Sequence, residues 1–210
     1  IEPTGTFIVA GSPGAGRANA AAAIARQTVR PRPDTPAFYI GDRRSPGQDA
    51  AAWASTAESP SAALAVLGAG FDTLAARMAA KHPGWTAWEL DHPATQAWKT
   101  RAIAACDFQR PNLQFLSRDF STSEGRSLFE PDRQHETFWV AEGLLMYFPE
   151  TVVKEFFRTL HRISKPGSRF AFTFMEPREE GRVDFRRRSR PLHLWLKTQK
   201  EPFQWGIKRE

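Results

Sequence analysis

The sequence has little of what marks secreted and membrane proteins. Its 210 residues include one cysteine, Cys106, so an internal disulfide is excluded and stability must come from packing. No apolar run reaches the roughly eighteen residues that a transmembrane helix needs. Residues 1–10 contain no basic leader followed by a long apolar stretch, so the sequence predicts no signal peptide. Together these absences favour a cytoplasmic protein without a membrane partner.

The charge of the chain is unbalanced toward the positive. It contains 29 Lys and Arg residues against 23 Asp and Glu residues, which gives a formal net charge of +6. A positive excess favours anionic partners through long-range attraction. Six arginines stand close together and form what we call the arginine cluster: Arg178, Arg182, Arg186, Arg187, Arg188 and Arg190. This cluster predicts either a solvated basic surface or a site facing an anionic substrate, and nucleic acid is a less favoured partner.

Residues 1–61 differ in composition from the rest of the chain, because they are rich in Ala, Gly, Pro and Arg and poor in large aliphatic residues. We predict here an atypical, partly helical N-terminal segment, with a short strand at 6–10 and an alanine-rich helix at 18–27. The glycine-rich turn between them resembles a P-loop, but Arg17 and Ala18 occupy the places of its lysine and its Ser/Thr. We therefore expect a simple turn without a nucleoside triphosphate site.

Residues 62–210 show a regular alternation of short apolar runs and helical patterns. We expect strands at 63–67, 86–90, 113–116, 137–141 and 169–175, and helices at 71–81, 93–105 and 150–163. Such spacing implies βαβ units with right-handed crossovers, which place helices on both faces of a parallel sheet. The fold class predicted is therefore α/β, with a doubly wound, mostly parallel, Rossmann-like sheet.

Glycines or acids follow four of these strands in turn. They are Gly68-Ala69-Gly70 after the first, Glu89 and Asp91 at the end of the second, Asp119-Phe120 after the third, and Glu142-Gly143 after the fourth. In an open parallel sheet, ligands bind outside the carboxyl ends of the strands. Glycines let the backbone approach a ligand closely, and a carboxylate accepts hydrogen bonds from ribose hydroxyls. Since the first loop has no Lys or Arg, the pattern predicts a nucleoside site without a phosphate clamp.

Three ordered motifs resemble the leucine carboxyl methyltransferase family. They are VLGAGFDT at 66–73, WELDHP at 88–93 with Lys99, and AEGLLMY at 141–147. The resemblance covers roughly residues 62–176. It implies the fold of a class I S-adenosylmethionine-dependent methyltransferase, with S-adenosylmethionine as the cofactor and no metal.

The resemblance also assigns roles around the glycine loop. Gly68 and Gly70, with Ala69 between them, would face the methionine part of the cofactor. Asp91 would bind the ribose, and Glu89 is its close alternative. A sulfonium cation favours acidic surroundings, which agrees with these assignments.

Further along the chain, the same comparison places Asp119 and Phe120 at the adenine. Glu142, followed by Gly143, would line the cofactor site beside the methyl group. Upstream of the glycine loop, family members carry an arginine that pairs with the cofactor carboxylate. Arg43, or its neighbour Arg44, is the candidate here, because a guanidinium binds carboxylate in two parallel hydrogen bonds.

Several motif residues have alternative interpretations. Asp72 is a candidate cofactor ligand, but Asp72 and Thr73 could instead cap the following helix. Lys99 could be a solvated helix residue, Tyr147 an ordinary core residue and His92 a surface residue.

The end of the chain departs from the family pattern. A methyltransferase core usually adds a helix and two more strands after Met175, whereas residues 177–210 are basic and aromatic. The segment 201–207 resembles one found in bacterial family members. We therefore expect the last strands to be missing, which indicates either a fragment or a homo-oligomer, since an uncovered sheet edge promotes association.

The function expected is an S-adenosylmethionine-dependent O-methyltransferase acting on a carboxylate, or another oxygen, of a small molecule or protein. A carboxylate is already anionic and needs no general base, and the sequence offers no obvious His/Asp pair to activate a nucleophile. No catalytic residue is assigned. An RNA- or tRNA-modifying methyltransferase and a degenerate, non-catalytic member of the fold are the alternatives.

Overall fold

The computed structural model describes residues 8–10, 39–41, 62–106, 109–127, 135–175 and 203–207. Several predictions fall outside these residues: the glycine-rich turn, the helix at 18–27, Arg43 and the arginine cluster. None of the helices within the described segments has the length and apolar character needed to cross a membrane.

Two short strands lie in the N-terminal part of the chain. They are β1 (Ile8–Ala10) and β2 (Tyr39–Gly41), and they pair with each other in parallel. β1 confirms part of the strand expected at 6–10, whereas β2 was not predicted.

A five-stranded parallel sheet forms the centre of the described structure. Its strands are β3 (Ala63–Leu67), β4 (Thr86–Asp91), β5 (Leu113–Ser117), β6 (Thr137–Ala141) and β7 (Arg169–Phe172). They lie in the order β5-β4-β3-β6-β7, and every neighbouring pair is parallel. The chain order reverses between β3 and β6, so a ligand crevice is expected at the carboxyl end of β3. All residues of β3 are buried, as an apolar run between two neighbours requires.

In the described segments, four α-helices accompany the sheet. They are α1 (Leu74–Lys81), α2 (Pro93–Ala105), α3 (Ser123–Arg126) and α4 (Glu150–Ile163). The bounds of α2 and α4 agree with the sequence prediction, and Pro93 occupies the first turn of α2 as expected. The short α3, capped by the Thr122 hydroxyl, was not predicted.

The two faces of the sheet bury separate sets of side chains. On one face, α4 inserts Val153, Phe156, Phe157, Leu160 and Ile163 against residues of β3, β4, β6 and β7. On the other face, α1 packs Leu74, Ala75, Ala76, Met78 and Ala79 against the sheet, with Ile103 of α2 beside them. The helices therefore cover both faces, and the amphipathic pattern of α4 is confirmed.

The segment 203–207 returns to the sheet. The amide of Ile207 donates to the Met175 carbonyl at 2.9 Å, and the amides of Gln204 and Trp205 donate to the Met146 carbonyl at 2.8 and 3.2 Å. Trp205 and Ile207 are buried in the same core as α4. This part of the C-terminal segment thus belongs to the core.

The predicted strand at 169–175 is shorter in the structure. It ends at Phe172, and Met175 then forms an isolated parallel bridge with Gly206. Within the described residues, β6 is the strand that pairs with β7, and β1 lies close to β7. Homo-oligomer formation through an uncovered edge stays a prediction.

Candidate functional site

The loop between β3 and α1 contains two glycines in the left-handed region. Gly68 has φ of +63° and Gly70 has φ of +51°, conformations that side chains of L-residues rarely adopt. A Cβ built on Gly68 would lie 2.8 Å from Leu144 Cδ1, in the loop after β6. A Cβ built on Gly70 would meet no described atom within 4 Å. The loop is therefore closed by packing at Gly68 and open at Gly70.

Asp91 lies at the carboxyl end of β4, beside this loop. One of its oxygens accepts a hydrogen bond from the Gly70 amide, and the other accepts one from the His92 amide at 2.6 Å. Each carboxylate oxygen has a further lone pair. The acid predicted to bind ribose thus stands next to the open part of the glycine loop.

Glu89, the alternative ribose ligand, is enclosed. Its side chain is fully buried and forms an ion pair with Lys99 of α2, which is itself only 3% exposed. The interpretation of Lys99 as a solvated helix residue is therefore wrong. Burial raises the pKa of Glu89, the contact with Lys99 opposes that shift, and the charges of Asp72 and Asp91 add to it. Because Glu89 lies beneath the site, Asp91 is the better candidate for the ribose.

Asp72 caps α1. Its Oδ1 accepts a hydrogen bond from the Leu74 amide at 2.9 Å, and Arg77 lies 3.7 Å away in an exposed ion pair. The capping alternative is confirmed for Asp72, but the side chain of Thr73 makes no such bond. This capped turn also explains why α1 begins at Leu74 and not at residue 71.

Glu142 follows β6 and lies near Asp72. The pKa of Glu142 is raised. The larger cause is partial burial of its carboxyl group, and the negative charge of Asp72 adds to the effect. Gly143, also in the left-handed region, donates its amide to Thr173 Oγ1 at 2.8 Å. The loops after β3 and β6 therefore bring two carboxylates together at the switch point of the sheet.

Asp119 and Phe120 follow β5 and point in different directions. Asp119 Oδ1 accepts hydrogen bonds from the Ser121 amide at 2.9 Å and the Ser121 hydroxyl at 2.6 Å, which lower the pKa of Asp119. The ring of Phe120 is buried, with its centroid 5.5 Å from that of Phe156. Phe120 would consequently meet a ligand through its backbone.

The remaining alternatives concern His92 and Tyr147. His92 is the N-cap of α2, and its Nδ1 accepts a weak hydrogen bond from the Ala94 amide at 3.3 Å. Tyr147 is half-buried in a short 3₁₀-helix, with its ring centroid 5.3 Å from that of Phe203.

Sequence reasoning missed Arg126, which organises the loop carrying Asp119. Its guanidinium donates to the carbonyls of Phe120 at 3.0 Å and Ser121 at 2.8 Å. Gly125 packs so closely that a Cβ there would lie 1.8 Å from the Asp119 carbonyl oxygen. The run Ser121-Thr122-Ser123 followed by an acid is a helix-start signal that could have revealed this turn.

The donor set fits S-adenosylmethionine better than a metal ion. Asp91 accepts a hydrogen bond from the Gly70 amide, Asp72 follows the glycine loop, and Glu142 lies near Asp72, so carboxylates are present at this edge of the sheet to stabilise a sulfonium cation. In the described part of the chain, no group of three His, Cys, Asp or Glu side chains could hold a metal.

Comparison with known proteins agrees with this geometry. Residues 44–161, more than half of the chain, match the family model described as leucine carboxyl methyltransferase. The chain belongs to this family. A relative from Mycobacteroides abscessus, named "Putative S-adenosyl-L-methionine-dependent methyltransferase", is 32% identical over 133 residues, which cover 60% of the chain and 41% of the relative. A protein of the same name from Mycobacterium marinum is 34% identical over 112 residues, which cover 50% of the chain and 36% of the relative.

The chain therefore spans less than half the length of these relatives. Among solved structures, that of a "putative sarcosine dimethylglycine methyltransferase" from Galdieria sulphuraria superposes with a TM-score of 0.52 and 16% identity, over 77% of this chain and 56% of that chain. A likeness at this identity concerns the fold alone. The predictions of the family and of the fold class are thereby confirmed, and the names of both relatives agree with the predicted cofactor.

Proposed function

We propose that the described residues form the cofactor-binding core of an S-adenosylmethionine-dependent methyltransferase that transfers a methyl group to an oxygen, a carboxylate oxygen first of all. One observation carries this proposal. The glycine loop, Asp91 and Glu142 converge at the carboxyl ends of β3, β4 and β6, where the strand order reverses.

Each part of the cofactor has a candidate partner in this chain. The backbone of the glycine loop, 68–70, would lie along the methionine part, and Asp91 would accept hydrogen bonds from the ribose hydroxyls. Asp119 and the Phe120 backbone would meet the adenine, and Glu142 would lie beside the sulfonium. Arg43, outside the described residues, stays the proposed partner of the cofactor carboxylate.

The chemistry asks the chain to position groups rather than to move protons. When bound, S-adenosylmethionine would supply a methyl group on a cationic sulfur; the acceptor oxygen would form a bond to the methyl carbon as the carbon–sulfur bond breaks, and S-adenosylhomocysteine would leave as the neutral thioether. Glu142 and Asp72 provide negative charge near that position, which favours binding of the cationic cofactor. Because a carboxylate acceptor is already ionised, holding it in line is the main contribution required of the protein.

The methyl acceptor follows from the same reasoning. A small molecule or protein that presents a carboxylate is the proposed partner. The alternative of an RNA substrate rests on the arginine cluster and the net charge of +6, and the cluster lies outside the described residues.

Transfer of labelled methyl from S-adenosylmethionine to a panel of carboxylates, phenols and RNA tests the proposal. We expect transfer to at least one carboxylate, and stronger labelling of carboxylates than of phenols with matched ring systems. Transfer to RNA alone would favour the alternative substrate class. Absence of transfer to every acceptor by a folded protein that binds the cofactor would support the non-catalytic alternative.

A further inference from the structure

We propose that Lys99 is a positioning residue of the cofactor site, which acts through Glu89 to present Asp91 to the ribose. The inference rests on the proposed function, since it assumes a nucleoside at Asp91. It concerns a buried ion pair that the chemistry of methyl transfer does not itself require.

The geometry places the ion pair directly beneath the site. Glu89 and Asp91 are two residues apart on β4, so their side chains project from the same face of the sheet. Lys99 contacts Glu89 from α2, and the two side chains are 3% and 1% exposed. The pair is thus enclosed between β4 and α2.

α2 attaches to β4 mainly through polar groups. Its buried residues are Gln96, Lys99 and Ile103, which share one side of the helix. Gln96 Nε2 donates to the Glu89 carbonyl at 2.7 Å, while Lys99 contacts the carboxylate of the same residue. Glu89 is therefore held by α2 at both its backbone and its side chain.

This attachment sits next to the residue that would contact the ribose. α2 begins at Pro93, two residues after Asp91, with only His92 between them. A rotation or shift of α2 relative to β4 would therefore move the Asp91 carboxylate. The same carboxylate accepts the Gly70 amide, so the effect would extend to the glycine loop.

Stability alone does not explain the ion pair between Glu89 and Lys99. Burying two charges carries a large desolvation cost, and well-packed apolar replacements of buried pairs are often neutral or stabilising. α1 covers the same face with apolar side chains: Leu74, Ala75, Ala76, Met78 and Ala79. Hydrogen bonds and ion pairs depend on orientation more strictly than apolar contacts do. The contacts of Gln96 and Lys99 with Glu89 therefore fix the position of α2 relative to β4.

Charge balance gives a second reason for the lysine. The charges of Asp72 and Asp91 both act on Glu89, and Lys99 is the cation that opposes them. Without the ammonium, Glu89 would become a buried, unpaired carboxylate or take up a proton. Either change alters the charge and hydrogen bonding directly below Asp91.

The test compares Lys99→Met with the double variant Glu89→Leu/Lys99→Met, which removes both charges and can fold even if the single variant does not. Lys154→Met is the matched control, because Lys154 forms a surface ion pair with Glu150 at 2.7 Å on α4, across the sheet. Two quantities are measured on folded protein. One is hydrogen exchange of the Gly70 amide without ligand, and the other is the Kd ratio between S-adenosylhomocysteine and its 2′-deoxyribose analogue.

We expect Gly70 exchange in the double variant to become about tenfold faster and the Kd ratio to fall about tenfold, the size of one hydrogen bond to a charged group. Lys154→Met should leave both unchanged. Unchanged Gly70 exchange in a folded double variant would overturn the inference, whatever the Kd ratio, and leave Lys99 a structural residue.

Failure of the proposed function looks different. If the proposed function is wrong, wild-type protein binds neither S-adenosylhomocysteine nor its 2′-deoxyribose analogue, and this result is obtained before any variant is compared. The exchange measurement uses no ligand and still decides whether Lys99 positions Asp91: faster exchange at Gly70 supports the coupling, and unchanged exchange refutes it.

Discussion

The carboxylate of Asp91 accepts a hydrogen bond from the backbone amide of Gly70, 21 residues earlier in the chain. This bond joins the loop after β3 to the end of β4, the neighbouring strand. The two motifs that the sequence marks as parts of one site are therefore in direct contact. A site assembled in this way needs little rearrangement on binding, which lowers the entropic cost of holding a ligand.

The geometry of the glycine loop predicts that two similar substitutions lower the free energy of unfolding by different amounts. Both Gly68→Ala and Gly70→Ala place an L-residue at positive φ, which costs about 1 kcal/mol. At Gly68 the new methyl group also lies 2.8 Å from Leu144 Cδ1. We expect urea unfolding to show a loss of about 1 kcal/mol for Gly70→Ala and about 2–3 kcal/mol for Gly68→Ala.

Ligand affinity should separate the same two variants in another way. The Gly70→Ala methyl group enters the open side of the loop, so we expect it to weaken S-adenosylhomocysteine binding about tenfold or more despite its smaller effect on stability. Equal destabilisation by both variants, or wild-type affinity in Gly70→Ala, would contradict the geometry described.

The raised pKa of Glu142 predicts how the affinity for S-adenosylmethionine, relative to that for S-adenosylhomocysteine, depends on pH. Its pKa is raised by burial and by Asp72, so on acidification it takes up a proton at a higher pH than an ordinary glutamate, whose pKa is about 4.3. Protonation removes a charge that favours the sulfonium but not the neutral thioether of S-adenosylhomocysteine. The preference for S-adenosylmethionine should therefore fall about two- to fivefold as the pH is lowered from neutral through this raised pKa.

Calorimetric titrations with both compounds across this pH range measure the effect. Glu142→Gln should remove this contribution to the pH dependence, and Asp72→Asn should move the transition to lower pH because it removes the neighbouring charge. A preference that rises on acidification would show that Glu142 does not face the sulfonium.

The hydrogen bonds of Asn112 predict that its substitution lowers the stability of the protein at a position remote from the ligand. Its Nδ2 lies within hydrogen-bonding distance of three carbonyls, those of Ala79 at 3.1 Å, His82 at 3.2 Å and Trp85 at 2.8 Å. Asn112→Asp replaces the donor by a charged acceptor facing these oxygens, so we expect a loss of about 2–4 kcal/mol in urea unfolding.

The comparable change Gln114→Glu serves as the control. Gln114 is exposed, and a glutamate there retains an acceptor for Trp88 Nε1, which lies 3.3 Å away. We expect this variant to stay within about 0.5 kcal/mol of wild type. A similar loss in both variants would mean that added negative charge, and not the lost donor, causes the effect.

The elements that the sequence predicted well carry strong local signals. β3 and β6 are apolar runs, α2 starts at a proline, and α4 has a clear apolar side. Their bounds follow from local patterns because burial on both faces, or on one helix side, leaves a regular trace in the sequence. The family motifs then placed the glycine loop and Asp91 at the same sheet edge.

The features that the sequence left open depend on contacts between distant residues. Lys99 looks solvated because α2 lacks an apolar stripe, and only the position of Glu89 on β4 shows why it is buried. The direction of the Phe120 ring depends on Phe156 of α4. The return of residues 203–207 depends on backbone bonds to Met146 and Met175. Local periodicity contains no information about such pairings.

The central claim is that the carboxyl ends of β3, β4 and β6 bind S-adenosylmethionine. Its most direct test is calorimetric titration of S-adenosylhomocysteine into wild-type protein, Asp91→Ala and the control Glu150→Ala, which removes an acid on α4 that is 57% exposed. We predict binding to wild type, affinity about 10- to 100-fold weaker for Asp91→Ala, and a change within about twofold for the control. Wild-type affinity in a folded Asp91→Ala variant, or no binding by folded wild-type protein, would contradict the claim.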